Sequence, residues 1–221
     1  MTDSAETEAN GGPQGTDGSL ETWLEALASS APAPGGGAAG AVSASIGASL
    51  VEMVCALTID KPKFAAHRDS LLAVMDQTKA LRADALRLAA ADATAFDGVI
   101  AAYKLPKATD ADKAARKAAI QTALKQAAEV PLETARTAVA VIDLAESILD
   151  NTNSSVASDI AVAAYAARAA LDSSMVNVEI NLASVKDPDW CRQTVEALEG
   201  FKAAGAKADQ VAGIVRERIA K

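Results

Sequence analysis

Along most of the chain, apolar positions recur every three or four residues, the period that turns one face of an α-helix toward a core. Val42, Ile46, Leu50, Met53 and Leu57 advance in this way, predicting a helix that runs to about residue 59, where Asp60, Lys61 and Pro62 end it. Ahead of it, Ser19 is placed to cap a short helix to about residue 28, with Trp23, Leu24 and Leu27 as its apolar face. Leu71, Val74, Leu81, Leu88, Phe96 and Val99 carry a long third helix over residues 63–102, stopped by Pro106. Thr109 followed by Asp112 has capping-box spacing and opens a fourth helix to about residue 149, with a kink expected at Pro131. Asn151 and Asn153 mark a turn, a fifth helix covers residues 155–185, and Asp187 with Pro188 at the first helical position opens a sixth. No alternating strand pattern competes. The expectation is an all-α, up-and-down-type bundle of about six helices.

Composition narrows this picture. Alanine supplies 54 of the 221 residues, against seven aromatic side chains, so helices must pack closely on one another. The row Gly40, Ala44, Ala48 is a small-residue stripe suited to such an approach, within the bundle or across a dimer. The formal charge of −8 argues against nucleic-acid or anionic-membrane partners. Residues 26–51 carry no charge, but Pro32, Pro34 and five glycines break the stretch, so it is not expected to span a bilayer. The polar, Gly-rich residues 1–18 read as a flexible acidic tail, and residues 19–221 as a single domain. Their acidic start is unlike a secretory signal, and Cys55 and Cys191, far apart in amphipathic stretches, read as two reduced thiols, so a cytoplasmic protein is expected.

The chemistry has to manage with little. His67 is the one histidine, which excludes serine triads, Cys-His pairs and multi-histidine metal sites, and its neighbours Arg68 and Asp69 suggest a solvated role. Asp92 is the anomaly. Leu81, Ala85, Leu88, Asp92, Phe96 and Val99 share one helical row, so a carboxylate sits on an apolar stripe. It must find a donor there or shift its pKa upward, conditions common to catalytic acids and bases; the alternative is a boundary residue paired with Arg87 or Lys104. Ser173, Asn177 and Asn181 form a polar row in an apolar segment, either an interior hydrogen-bond network or a row of ligand contacts. Ser158 and Asp159 read first as a helix cap. Gly35, Gly36 and Gly37 open a helix and leave backbone N–H groups for an anion, although no strand precedes them and no GK[ST] follows. Lys61, Lys63, Lys104 and Lys107 lie at helix ends, where they complement the dipole or give an acidic chain local positive spots.

Six segments in order, APAPGGGAAGA, MVCALTIDKPKF, ADATAFDGVIAAYKLPK, EVPL, SDIAV and NVEIN, resemble the cyclodeaminase/cyclohydrolase family over about residues 20–208. The resemblance implies an all-helical homodimer that binds folate near the subunit interface. It also implies an enzyme that hydrolyses 5,10-methenyltetrahydrofolate to 10-formyltetrahydrofolate without a metal or redox cofactor, a tetrahydrofolate derivative being the substrate. The family's proposed catalytic aspartate, in its D-A-x-A-F motif, falls on Asp92. Its substrate-binding positions fall on Gly35, Gly36, Gly37, Lys61, Lys63, Ser158, Asp159, Asn177 and Asn181. Two departures stand out: Asp60-Lys61-Pro62-Lys63 where many relatives have Gly-Lys-Lys-Lys, and Ile160-Ala161 where relatives often have Ala-Gly. Two other readings remain open, cyclisation of formiminotetrahydrofolate with release of ammonia and a helical folate-binding or scaffold protein without activity.

Overall fold

The structure is a computed structural model and describes residues 18–221, so all but Gly18 of the expected tail lies outside the described residues. Among the described residues there are six α-helices and no strand: α1 (Leu20–Leu27), α2 (Gly36–Ala56), α3 (Arg68–Lys104), α4 (Asp110–Ser147), α5 (Ala157–Leu182) and α6 (Pro188–Ile219). The all-α bundle read from the sequence is the fold found. The predicted caps are present. Ser19 accepts from the Thr22 N–H, Thr109 and Asp112 form a reciprocal capping box, and Asp187 accepts from the Trp190 N–H behind Pro188.

α2 is the central helix, packed against α3, α4 and α5, and α6 covers α4 and α5. It is long and apolar enough to cross a membrane by composition alone, yet it is the helix around which the bundle is built. Its small-residue face does the packing. Ala41, Ala44, Ala48, Val51 and Cys55 are fully buried, and a Cβ on Gly47 would lie 3.1 Å from the Ala163 carbonyl oxygen of α5. The Gly40 stripe therefore serves the α2–α5 contact inside the bundle.

Two sequence expectations need correction. The third helix does not begin at residue 63. Pro62–His67 forms a 3-10 segment, opened by a Phe64 N–H bond to the Lys61 carbonyl, and α3 starts only at Arg68. The large apolar stripe of α2 is only partly core: Val42 and Leu50 pack at its margin, while Ile46, Met53 and Leu57 are turned outward, as is Leu24 of α1. The fourth helix is continuous through Pro131, as expected, running from Asp110 to Ser147 with the proline buried within it.

α2 and α5 run antiparallel. Gly36 and Gly40 face Asn177 and Ser173, whereas at the other end the Asn153 N–H donates to the Thr58 hydroxyl at 3.2 Å. This pairing decides which candidate residues meet.

Candidate functional site

The N-terminus of α2 opens into a cleft of about 360 Å³ whose lining includes Gly35, Gly36, Gly37, Asp92, Phe96, Asn177 and Asn181. Six of the ten sequence-predicted positions thus come together: the glycine triplet, Asp92 and both asparagines. The other four lie elsewhere. Lys61 and Lys63 follow α2, and Ser158 and Asp159 begin α5, all at the far end of the bundle. With a rise of 1.5 Å per residue, the 18 residues from Asp159 to Asn177 separate the two groups by about 27 Å.

Asp92 is half-buried against the start of α2. Its Oδ2 accepts from the Ala38 N–H at 3.1 Å, while neither Arg87, which pairs with Asp84, nor Lys104 forms an ion pair with it. The predicted anion site at the helix N-terminus thus already holds an anion, the protein's own carboxylate, favoured there by the unpaired N–H groups and the helix dipole. Burial pushes the Asp92 pKa above the usual carboxylate value, and the Ala38 N–H opposes that shift. Gly37 is required by this approach: a Cβ there would lie 2.1 Å from Asp92 Oδ1. The triplet therefore works by letting a carboxylate close to the backbone.

The asparagines are oriented by the helices that carry them. Asn177 Nδ2 donates to the Ser173 carbonyl at 2.8 Å, and Asn181 Nδ2 donates to the Asn177 carbonyl at 2.9 Å and to the Ala127 carbonyl of α4 at 3.3 Å. That last acceptor exists because of Pro131. An α-helical carbonyl is normally taken by the N–H four residues on, and proline has none. The Ala127 oxygen is left to Asn181, so the proline of the EVPL segment fastens α5 to α4 beside the cleft. With their N–H donors committed, both asparagines retain side-chain oxygens that accept no hydrogen bond among the described residues.

Sequence reasoning missed parts of the cleft. Phe96, one of the apolar positions that carry the third helix, is 41% exposed and lines the cleft with Val99. Ile180, also lining it, is 71% exposed. The Ala127 carbonyl was legible in principle, four residues before a mid-helix proline. Cys55 is buried, its thiol pushed up to about 12 chiefly by that burial, with the Glu52 charge adding to it, which leaves an inert thiol. No group of three or more potential metal-ligating side chains occurs among the described residues.

Comparison with known proteins agrees with this fold. The formiminotransferase-cyclodeaminase family profile matches residues 19–200. A methenyltetrahydrofolate cyclohydrolase from Methylorubrum extorquens is 44% identical over 201 residues, covering 90% of this chain and 97% of that protein. The formimidoyltransferase-cyclodeaminase of Sus scrofa is 34% identical over 182 residues, 82% of this chain but 34% of that longer protein. The crystal structure of a formiminotetrahydrofolate cyclodeaminase from Thermotoga maritima superposes with a TM-score of 0.84 at 28% identity, over 93% of this chain and 98% of that one. With a match of this extent and the family's fold, the chain belongs to the formiminotransferase-cyclodeaminase family.

Proposed function

We propose that the protein hydrolyses 5,10-methenyltetrahydrofolate to 10-formyltetrahydrofolate in the Asp92 cleft. The observation that carries this reading is the 44% identity to a cyclohydrolase across nearly that protein's whole length. The cleft suits the chemistry. The substrate carries a cationic one-carbon bridge between N5 and N10, and a half-buried carboxylate with one backbone donor offsets that charge. Asp92 takes a proton from water as the oxygen adds to the bridge carbon. It then returns that proton to N5 as the carbon–N5 bond breaks, and the adduct's hydroxyl proton leaves to water as the formyl carbonyl forms on N10. A raised pKa makes Asp92 a better proton carrier than an exposed carboxylate. Asn177 and Asn181 offer side-chain oxygens to the N–H groups of the pterin. The reaction needs no metal or redox cofactor, since water is the only co-reactant.

The working form we infer is a homodimer in the cytoplasm. Ile46, Met53 and Leu57 of α2 lie beside Val162, Tyr165, Val176 and Ile180 of α5, all exposed, forming one apolar face along two adjacent helices. A second copy laid antiparallel on this face carries the partner's Lys61 and Lys63, with the partner's Ser158 and Asp159, toward the Asp92 cleft. This arrangement reunites the two groups of family positions that a single protomer keeps apart, and supplies cations for the folate carboxylates.

The test gives purified protein each of two substrates. Loss of methenyl absorbance well above the uncatalysed rate is the expected result, and no acceleration would overturn the proposal. Ammonia release from formiminotetrahydrofolate, the reaction named for the Thermotoga maritima relative, is the second reading and uses the same bridge carbon and carboxylate. Binding of folate with neither reaction would favour the non-catalytic alternative.

A further inference from the structure

Every apolar position but one in the α3 row that carries Asp92 is packed inside the protein. Leu81 and Ala85 pack in the main core, Leu88 in the cluster around Trp23, and Val99 on the cluster around Ile120. Phe96, on the same helical face between Leu88 and Val99, belongs to none of these clusters. It stands in the wall of the Asp92 cleft, 41% exposed.

The other six aromatic side chains have other places. Trp23 is buried, and Phe201 packs against the main core. Phe64, Tyr103 and Trp190 each have a cation over the ring, Lys63 at 5.5 Å, Arg116 at 5.6 Å and Lys125 at 5.9 Å from the ring centres. Tyr165 lies on the exposed α2–α5 face. Phe96 alone lines the cleft, with neither an apolar cluster nor a cation against its ring among the described residues. Covering a phenyl ring is favourable, so a ring left uncovered in a cleft wall presents its face to whatever enters.

Its distance from Asp92 fits a second ring of the substrate. Side chains four residues apart on a helix have Cβ atoms about 6 Å apart, so Phe96 stands one turn of α3 from the carboxylate. The neighbouring lining residues Ala95 and Ala127 are small, which leaves room beside the ring. In the function proposed above, the one-carbon bridge lies at Asp92 and the pterin at Asn177 and Asn181 of α5. The other nitrogen of the bridge, N10, carries a benzoyl ring, whose centre is about 4 Å from the bridge carbon through bonds of about 1.4 Å. With the pterin toward α5, that ring is left on the α3 side, beside Phe96.

We propose that Phe96 stacks on the aryl ring carried by N10 of the substrate, and so selects one-carbon carriers with an aromatic N10 substituent. The proposal rests on the folate reading of the Asp92 cleft. Offset or edge-to-face contact between the two rings adds to the apolar area they bury. A ring held there also fixes where the bridge carbon lies relative to the Asp92 carboxylate, so Phe96 orients the reacting carbon as well as adding affinity.

The test compares the wild-type protein with F96L and F96Y. Leucine keeps an apolar side chain and removes the aromatic face, whereas tyrosine restores that face. Phe96 is exposed, so both variants should retain the fold, which circular dichroism and the melting temperature check. In F96L, KM for 5,10-methenyltetrahydrofolate should rise about fivefold, more than kcat falls, and F96Y should return it to within about twofold of the wild-type value. An unchanged KM in F96L, or F96Y with the KM of F96L, overturns the stacking and leaves the cyclohydrolase reading intact. Calorimetry with two fragments, p-aminobenzoylglutamate and 6-methyltetrahydropterin, separates the two claims. Weaker binding of the first alone in F96L supports the stack even if the folate is not turned over. Weaker binding of the pterin alone, or no binding of p-aminobenzoylglutamate to the wild type, overturns it.

Discussion

Asp92 carries the proton transfers of the proposed reaction, and its environment gives opposite predictions for activity and stability. Because burial raises its pKa in the folded state, the folded protein holds a proton more tightly than the unfolded chain between the ordinary value of 3.8 and the raised one. Stability therefore falls as pH rises through that window, and at neutral pH the buried charge works against the fold. Asp92→Asn removes the charge and keeps an oxygen for the Ala38 N–H. Its melting temperature at neutral pH should equal or exceed that of the wild type and converge with it in acid, while kcat drops by about 10²- to 10⁴-fold. A folded Asp92→Asn protein with wild-type turnover would remove Asp92 from the mechanism. In the wild type, the acidic limb of kcat/KM should lie above 3.8, because the ionised carboxylate is the active form. Gly37→Ala probes the same contact from the other side. The added methyl must displace the end of a flexible side chain, so turnover should fall about 100-fold by loss of the carboxylate's position, with a melting-temperature change of only a few degrees; a steep stability loss with intact kcat would mean the backbone had yielded.

At the scale of the elements, α4 shows how a helix defect is put to use. Pro131 withholds one backbone donor and Asn181 occupies the acceptor it leaves, at 3.3 Å. Pro131→Ala restores a donor that competes for the Ala127 oxygen. The lost burial of the ring and the regained helix bond offset each other, so stability should change little. Asn181 loses its anchor, and KM for the folate should rise about tenfold with kcat nearly constant; a kcat loss with unchanged KM would contradict this. The helices and their caps were legible in the sequence because Ser19, Thr109 with Asp112, and Asp187 with Pro188 act within one turn of themselves. The convergence of Asp92 with the glycine triplet was hinted at by its place on an apolar row, but its partner, the Ala38 N–H, lies 54 residues away and no local pattern encodes that distance. The outward face of α2 was misread because periodicity finds an apolar stripe without saying what covers it. On an alanine-rich helix, the small residues pack inside and the large ones are left for another surface.

That surface sets the prediction for the whole molecule. The helix pair leaves large apolar side chains in water, Ile46 exposed at 50%, Val176 at 62% and Ile180 at 71%. A two-fold contact is the simplest way to cover it, because one face then meets its own copy. Charges placed on the centre of the face should split the assembly without touching the bundle core. Ile46→Glu with Tyr165→Asp is expected to halve the mass measured by light scattering while the helical circular dichroism is retained. If the antiparallel arrangement is right, the separated protomers lose the partner's Lys61 and Lys63 from each cleft. KM should then rise at least tenfold, and Lys61→Ala with Lys63→Ala in the intact dimer should reproduce most of that rise. Monomers with the wild-type KM would show that each protomer carries a complete site, and that the residues at the far end of the bundle serve the fold or another ligand.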